Sequence, residues 1–196
     1  MRIEKPLNLQ SSEERTSHAS SVFDRGQRLS PGYRAGRCSH FVEWLNDPEV
    51  RCYLGRNFPP LNLRREREWI ENLYKDRNSV TFGVVLKESD KLIGSTGFEN
   101  IDWRNRRAAF GIAIGDKPEW SKGYGAEAIK LVVRYGFDTL NLNRILLHVF
   151  DHNPRAMRAY GKAGFVKEGV LRQDRYVNGA YRDSIVIGIL REEWEG

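Results

Sequence analysis

Cysteine is scarce in this chain of 196 residues, which contains only Cys38 and Cys52. Because the two lack Cys-x-x-Cys spacing, neither a disulfide framework nor a cysteine-based metal site is expected, and the composition favours a reducing cytoplasm. No apolar run approaches the roughly 18 residues of a membrane helix, and residues 1–10 lack the apolar core of a secretory signal. We therefore expect a cytoplasmic protein with no metal and no membrane partner.

Long blocks of one charge sign are also missing. Lys and Arg number 32 against 26 Asp and Glu, a formal net charge of +6, yet the two signs alternate, as in R-R-E-R-E at residues 64–68. Nucleic-acid-binding domains usually carry denser basic clusters, so nucleic acid is not an expected partner. The net charge leaves open either a mildly basic surface or attraction for an anion such as a nucleotide or cofactor phosphate.

The length and an apolar content of 40% suit one domain with a real core. Residues 1–25 are polar and aperiodic, which predicts a flexible N-terminal tail and leaves residues 26–196 as a single domain. Within that domain, periodicity predicts a short strand at 27–29 and helices over 38–45, 48–53 and 63–75. An antiparallel meander of strands over 80–86, 91–98 and 108–114 follows.

The second half of the chain alternates strands and helices. A helix over 123–140 precedes an apolar, centrally placed strand over 144–150, then a helix over 154–163 and a strand over 165–170. A hairpin turned at Asn178-Gly179 leads to the last strand over 183–190. This order predicts a mixed α/β (α+β) fold, with helices on both faces of the sheet.

The segment W-S-K-G-Y-G-A-E-A at residues 120–128 joins a predicted strand to the N-terminus of a long helix. Gly123 and Gly125 allow the backbone to curl and to present successive N–H groups, which together with the helix dipole suit a pyrophosphate. Lys122 adds a positive charge at the rim. A plain strand-to-helix turn uses glycine in the same way, so the spacing alone leaves both interpretations open.

The same segment fits G-x-G-x-x-A, the fingerprint of NAD-dependent Rossmann-type oxidoreductases, with Asp151 as the candidate ribose-binding acid. Three features argue against that function. The loop between residues 114 and 123 is longer than the motif's tight turn, and Asp151 lies 28 residues beyond Gly123 where roughly 20 is usual. Too little chain remains for the other βα units of a doubly wound sheet.

The run from Trp103 to the C-terminus resembles the GNAT superfamily of acetyl-CoA-dependent N-acetyltransferases. It is most similar to the branch of ribosomal-protein N-terminal and spermidine acetyltransferases. Residues 120–128 match that family's pyrophosphate loop, and N-x-x-A-x-x-x-Y-x-K-x-G-F at residues 153–165 matches its second signature. The segments V-K-E-G at 166–169 and F-V-E-W-L-N-D-P-E-V at 41–50, with the Asn-Gly hairpin, also fit.

The resemblance implies a mostly antiparallel sheet of six to seven strands that splays at the cofactor site, and acetyl-CoA as co-substrate without a metal. The pantetheine arm would pair with the strand that ends in Ile112, Ala113 and Ile114. The pyrophosphate would be bound by Ser121, Lys122, Gly123, Tyr124, Gly125 and Ala126. Asn153 would hydrogen-bond the arm, a role compatible with its capping the following helix. A homodimer is compatible with the family.

Tyr160 is the catalytic residue that the resemblance implies. Direct attack of an amine on the thioester expels a thiolate, whose thiol has a pKa of about 8.5, and a phenol with a pKa of about 10 can supply the proton. Without the surrounding signature, Tyr160 would instead be read as a core residue of an amphipathic helix.

The chain departs from the family at Ala109, where many members of this branch carry a glutamate that helps bind or deprotonate the amine. The base is then water, Glu99 or Asp102, or none is needed. Deprotonating an alkylamine at pH 7 costs roughly 4 kcal/mol and an α-amine only about 1 kcal/mol. This difference favours a protein N-terminal α-amine or a small amine of low pKa over a polyamine, and it keeps a non-catalytic CoA-binding sensor or scaffold as the alternative.

Overall fold

The computed structural model describes residues 27–31, 38–54 and 60–196. The predicted tail over 1–25 lies outside the described residues. Within them, seven strands form one sheet in the order β1-β2-β3-β4-β5-β7-β6. They are β1 (Gln27–Pro31), β2 (Val80–Leu86), β3 (Leu92–Asp102), β4 (Arg107–Ile114), β5 (Arg144–Phe150), β6 (Val166–Val177) and β7 (Ala180–Leu190).

Five α-helices lie between these strands in the described parts of the chain: α1 (Cys38–Asn46), α2 (Pro48–Arg51), α3 (Leu63–Lys75), α4 (Tyr124–Asp138) and α5 (Pro154–Lys162). Local signals explain several of their ends. Asp47 accepts hydrogen bonds from the N–H groups of Glu49 and Val50 at the start of α2, and Asn62 accepts one from Arg65 at the start of α3. Such side-chain caps are worth about 1 kcal/mol each.

The predicted meander is confirmed, because β2, β3 and β4 pair antiparallel in chain order. Strand β6 is longer than the predicted 165–170. It continues to Val177 and turns at Asn178 and Gly179, whose φ angles are 50° and 82°. Most of its side chains are exposed, so the sequence of β6 carries little of the inside–outside alternation that marks a half-buried strand.

Helices cover both faces of the sheet, as predicted. Consecutive residues of a strand point to opposite faces, and Val84 packs in a cluster with Ala128 of α4 whereas Val85 packs with Phe41 of α1. The largest apolar cluster lies on the α4 side and includes Phe98, Phe110, Val133 and Phe137. The sheet is therefore the middle layer of three.

The sheet opens between β4 and β5, its only parallel pair within the described residues. Pairing joins residues 107–109 to residues 144–146 and goes no further, so the remainder of each strand lacks the other as a partner. With all other neighbouring strands antiparallel, the sheet is not the parallel, doubly wound sheet of a Rossmann fold. The topology thus excludes the oxidoreductase alternative.

Candidate active site

A cleft of about 700 Å³ lies where β4 and β5 diverge. One wall is the unpaired part of β4 with the start of α4, and the facing wall is β5 with α5. Residues of α1, α2 and α3 close a third side. The cleft is large enough for a small molecule or for the arm of a cofactor.

The N-terminus of α4 lies at one edge of this cleft. Gly123 occupies the N-cap position at φ 91° and offers no side-chain cap, so the first N–H groups of the helix, those of Tyr124, Gly125 and Ala126, have no partner from a capping side chain. Ser121, at φ 63°, lies in the same turn and lines the cleft. A Cβ built on Gly125 would meet nothing nearer than Ile114 Cγ1 at 3.9 Å, so the space above the turn is open.

The unpaired edge of β4 runs beside this turn. Ile112, Ala113 and Ile114 all line the cleft, and β4 is paired to β3 only on its other side. The Trp120 indole Nε1 donates to the carbonyl oxygen of Ile114 at 2.7 Å, which ties the loop to the end of the strand. An extended ligand can add to this edge as a further strand would.

Asn153 and Tyr160 come from the far wall. The Asn153 side-chain oxygen accepts a hydrogen bond from Ala156 N–H at 3.1 Å, so the predicted capping role is confirmed, and the residue also lines the cleft. Tyr160 lines the cleft with 6% of its surface exposed. Its ring packs edge-on against Phe110 and Phe165, and burial raises the pKa of its phenol above the ordinary value.

Two residues predicted from the sequence lie outside the cleft lining. The Lys122 ammonium pairs with the Glu119 carboxylate at 2.8 Å. The Asp102 carboxylate accepts hydrogen bonds from the backbone and side chain of Asn105, at 2.9 and 2.7 Å, and therefore holds the β3–β4 turn. Glu99, the other candidate base, lines the cleft close to Ala109, its register partner on β4.

The structure adds three residues that the sequence analysis did not single out. His148 belongs to β5, is exposed and lines the cleft. The Arg155 guanidinium lies 4.1 Å from the Trp120 ring centroid at the cleft rim. Glu66 lines the cleft from α3 with 2% of its surface exposed, and burial raises the pKa of its carboxyl to about 7.

A signal for Glu66 was present in the sequence. Positions 66, 70 and 73 recur at the helical spacing of i, i+4 and i+7, and residues 70 and 73 are apolar. A carboxylate therefore stands in the apolar stripe of α3. Among the described residues, no three His, Cys, Asp or Glu side chains group as metal ligands, and no helix is long and apolar enough to span a membrane.

Comparisons with known proteins agree with this geometry. Residues 35–166 match the acetyltransferase (GNAT) domain family. The chain is 40% identical over 153 residues to the uncharacterized N-acetyltransferase YoaA of Bacillus subtilis (strain 168), covering 77% of this chain and 85% of that protein. It is 28% identical over 179 residues to the ribosomal protein uS5-alanine N-acetyltransferase of Escherichia coli (strain K12), covering 88% and 87%.

Among solved structures, the chain superposes on the spermidine N-acetyltransferase of Vibrio cholerae in complex with CoA and spermine. The TM-score is 0.81 at 27% identity, with 88% of this chain and 100% of that chain covered. The likeness confirms the predicted mostly antiparallel GNAT fold of this chain, and the structure of that protein contains CoA. The chain therefore belongs to the GNAT family and is an N-acetyltransferase, an enzyme that transfers an acetyl group to an amine.

Proposed function

We propose that the enzyme acetylates a primary amine, either a protein N-terminal α-amine or a small-molecule amine, by direct attack of the amine on acetyl-CoA. The observation that carries this proposal is the convergence of an uncapped helix N-terminus, an unpaired strand edge and a buried tyrosine on one cleft. When bound, acetyl-CoA supplies the activated acetyl group as a thioester.

The local geometry supports the binding roles that the family resemblance implies. The turn at Ser121, Gly123, Tyr124, Gly125 and Ala126 binds the pyrophosphate through backbone N–H groups and the helix dipole. The open edge of β4 at Ile112, Ala113 and Ile114 pairs with the pantetheine arm, and an N–H group of residues 110–114 polarises the thioester carbonyl. Asn153 borders the arm from the far wall.

Lys122 keeps a weaker role in this proposal. Its ammonium belongs to an ion pair with Glu119 and stands outside the cleft lining, so it contributes long-range positive charge near the turn rather than a direct contact. Half of the Lys122 side chain is exposed, at 51%, so solvent screens that charge.

Tyr160 is the proton donor to the leaving thiolate in this proposal. The phenol lies on α5, across the cleft from β4, with its ring fixed between Phe110 and Phe165. Because burial keeps it protonated, the donor is available across the physiological pH range.

The acceptor is an amine of one of two chemical classes. One relative acts on a ribosomal-protein alanine and another on spermidine, so both an α-amine and a small amine occur among similar enzymes. The absence of a carboxylate at position 109 of β4 favours the α-amine, because deprotonating an α-amine at pH 7 costs less free energy than deprotonating an alkylamine. Homodimer assembly and a cytoplasmic location, the latter favoured by the low cysteine content, are part of the same proposal.

The test is turnover with a panel of amines together with binding of two cofactors. We expect CoA to bind in isothermal titration and NAD to give no heat, and we expect CoA release from acetyl-CoA with at least one α-amine or small amine. Mass spectrometry of the product must show a gain of one acetyl group on that amine. CoA binding without transfer to any amine would make the protein a sensor, and NAD binding in place of CoA would overturn the assignment of the loop.

A further inference from the structure

The side of the cleft formed by α1, α2 and α3 carries a carboxylate that the chemistry above does not use. Glu66 lies in the first turn of α3 and is buried. Its Oε1 atom is fully buried without a hydrogen-bond partner, and no ion pair connects Glu66 to another described residue. A buried, unpartnered carboxylate oxygen is costly, so its presence in a ligand cleft indicates a partner that arrives with the ligand.

The other residues of α1 and α2 that line the cleft, together with Leu61 before α3, are apolar. They are Phe41, Trp44, Leu45, Val50 and Leu61. Arg65, the residue before Glu66, also lines the cleft but is exposed. A leucine at position 66 would complete the apolar stripe of α3 and avoid the desolvation of a charge. Packing therefore gives no reason for a glutamate here.

We propose that Glu66 binds the ammonium group of the acceptor amine and accepts its proton before the attack. The acceptor class that fits is a primary ammonium beside an apolar substituent, since the cleft is lined by this buried carboxylate and by the apolar side chains of α1 and α2. The catalytic half of this inference rests on the proposed acetyl transfer, whereas ammonium binding does not. Glu66 would thereby supply from α3 the carboxylate that is missing at Ala109 on β4.

The step balances as follows. The acceptor enters as R–NH₃⁺, and one proton passes to the Glu66 carboxylate, which becomes the neutral acid. The freed nitrogen lone pair forms the N–C bond to the thioester carbonyl carbon, and the C–S bond breaks with its electron pair passing to sulfur. The phenol of Tyr160 gives its proton to the thiolate and regains one from the nitrogen, and Glu66 releases its proton to water. The products are the amide, the thiol and one proton.

The ionisation of Glu66 suits this role. A base works best when its pKa lies near the operating pH, and burial holds the carboxyl pKa at about 7. The group can therefore exist as carboxylate when the ammonium arrives and as acid after the transfer.

Binding of an ammonium tests the proposal without turnover. The probe is 2-phenylethylamine, titrated into the CoA complex of the wild type and of Glu66→Gln by calorimetry, with uncharged 2-phenylethanol as the matched ligand. We expect the amine to lose at least tenfold in affinity in Glu66→Gln, whereas the alcohol binds both proteins equally. No amine binding by the wild type, or equal amine affinity in both proteins, would overturn the proposal.

Turnover gives the second readout, with Glu68→Gln as the control on the same helix, because Glu68 is exposed and pairs with Arg64 at 3.1 Å. We expect Glu66→Gln to lower kcat/KM at least a hundredfold with the Kd of acetyl-CoA unchanged, Glu68→Gln to match the wild type, and Glu66→Asp to keep part of the activity. Should Glu66→Gln fail to fold, Glu66→Leu, which removes the carboxylate and completes the apolar stripe of α3, takes its place in the same comparison. Wild-type activity retained in Glu66→Gln contradicts the catalytic role, whereas ammonium binding without any wild-type transfer contradicts only the proposed function.

Discussion

At the scale of single residues, burial acts on Tyr160 and Glu66 in the same direction with different consequences. Both side chains are anionic when deprotonated, so removal from water raises the pKa of each. For the phenol this means a donor that stays protonated. For the carboxyl it brings acid and base forms close to balance near neutral pH. A phenol of raised pKa does not stay ionised, so it must regain a proton from the attacking nitrogen as it protonates the thiolate.

Replacing Tyr160 by Phe should lower kcat by about 10²- to 10⁴-fold and leave the Kd of acetyl-CoA almost unchanged. The ring contacts with Phe110 and Phe165 survive in the variant, so only the proton donor is lost. Steady-state kinetics and calorimetry measure the two effects. Tyr135→Phe is the control, because Tyr135 is a partly buried tyrosine of α4 that packs on Phe82 away from the cleft. Equal kcat values for all three proteins would assign protonation of the thiolate to water.

The raised pKa of Glu66 also predicts how stability depends on pH. The carboxyl pKa moves from an ordinary value of 4.5 to about 7 in the folded protein, so between these pH values the folded state holds a proton that the unfolded state has lost. The free energy of unfolding must then fall as pH rises through this window, by on the order of 1–3 kcal/mol. The stabilising contribution is complete below pH 4.5 and absent above pH 7.

Urea denaturation of the wild type and of Glu66→Gln at several pH values between 4 and 8 measures this slope. We expect the stability difference between the two proteins to shift in favour of Glu66→Gln as pH rises, because every other titrating group cancels in the difference. A difference independent of pH would show that the Glu66 carboxyl ionises alike in the folded and unfolded states.

At the scale of elements, the start of α4 combines a left-handed backbone conformation with open space above the turn. Gly123 at φ 91° has a conformation that L-residues rarely adopt, and its glycine allows the chain to enter α4 with its first N–H groups facing the cleft. Gly125, two residues later, lies within α4 and has no positive φ angle. Its lack of a side chain instead leaves open the space above the turn. The two glycines thus serve different purposes.

Gly125→Val should weaken CoA binding by about tenfold or more, equivalent to about 1.4 kcal/mol, with little change in Tm. The variant should fold normally, since the added Cβ meets only Ile114 Cγ1 at 3.9 Å. The methyl groups of the valine would, however, occupy the space proposed for the phosphates. Gly161→Val on α5 is the matched control, because Gly161 is exposed with nothing within 4 Å of an added Cβ. If CoA binds Gly125→Val as tightly as the wild type, the pyrophosphate does not lie over this turn.

At the scale of the whole molecule, the cleft exists because two neighbouring strands pair for three residues and then separate. Segments far apart in the chain then meet: α3 and β3 on one side, the β4 edge and the start of α4 on another, and β5 with α5 opposite. The mostly antiparallel sheet gives this opening a rigid frame, because β4 is held by β3 and β5 by β7 along their full lengths. A ligand that pairs with the open β4 edge restores the missing strand contact.

Features that depend on a few adjacent residues were predictable from the sequence. The meander, the Asn178-Gly179 turn, the glycine turn before α4 and the cap at Asn153 each arise from local sterics and local hydrogen bonds. Features that depend on distant partners required the tertiary structure. Lys122 forms an ion pair with Glu119, and Asp102 accepts hydrogen bonds from Asn105. His148 lines the cleft, and Glu66 is buried there. Solvent exposure and pairing of this kind depend on which segments pack against each other. The separation of β4 from β5 was implied by the family resemblance alone, because strand pairing across 37 positions of sequence, as between Arg107 and Arg144, leaves no local pattern in either strand; only the tertiary structure shows where the pairing stops.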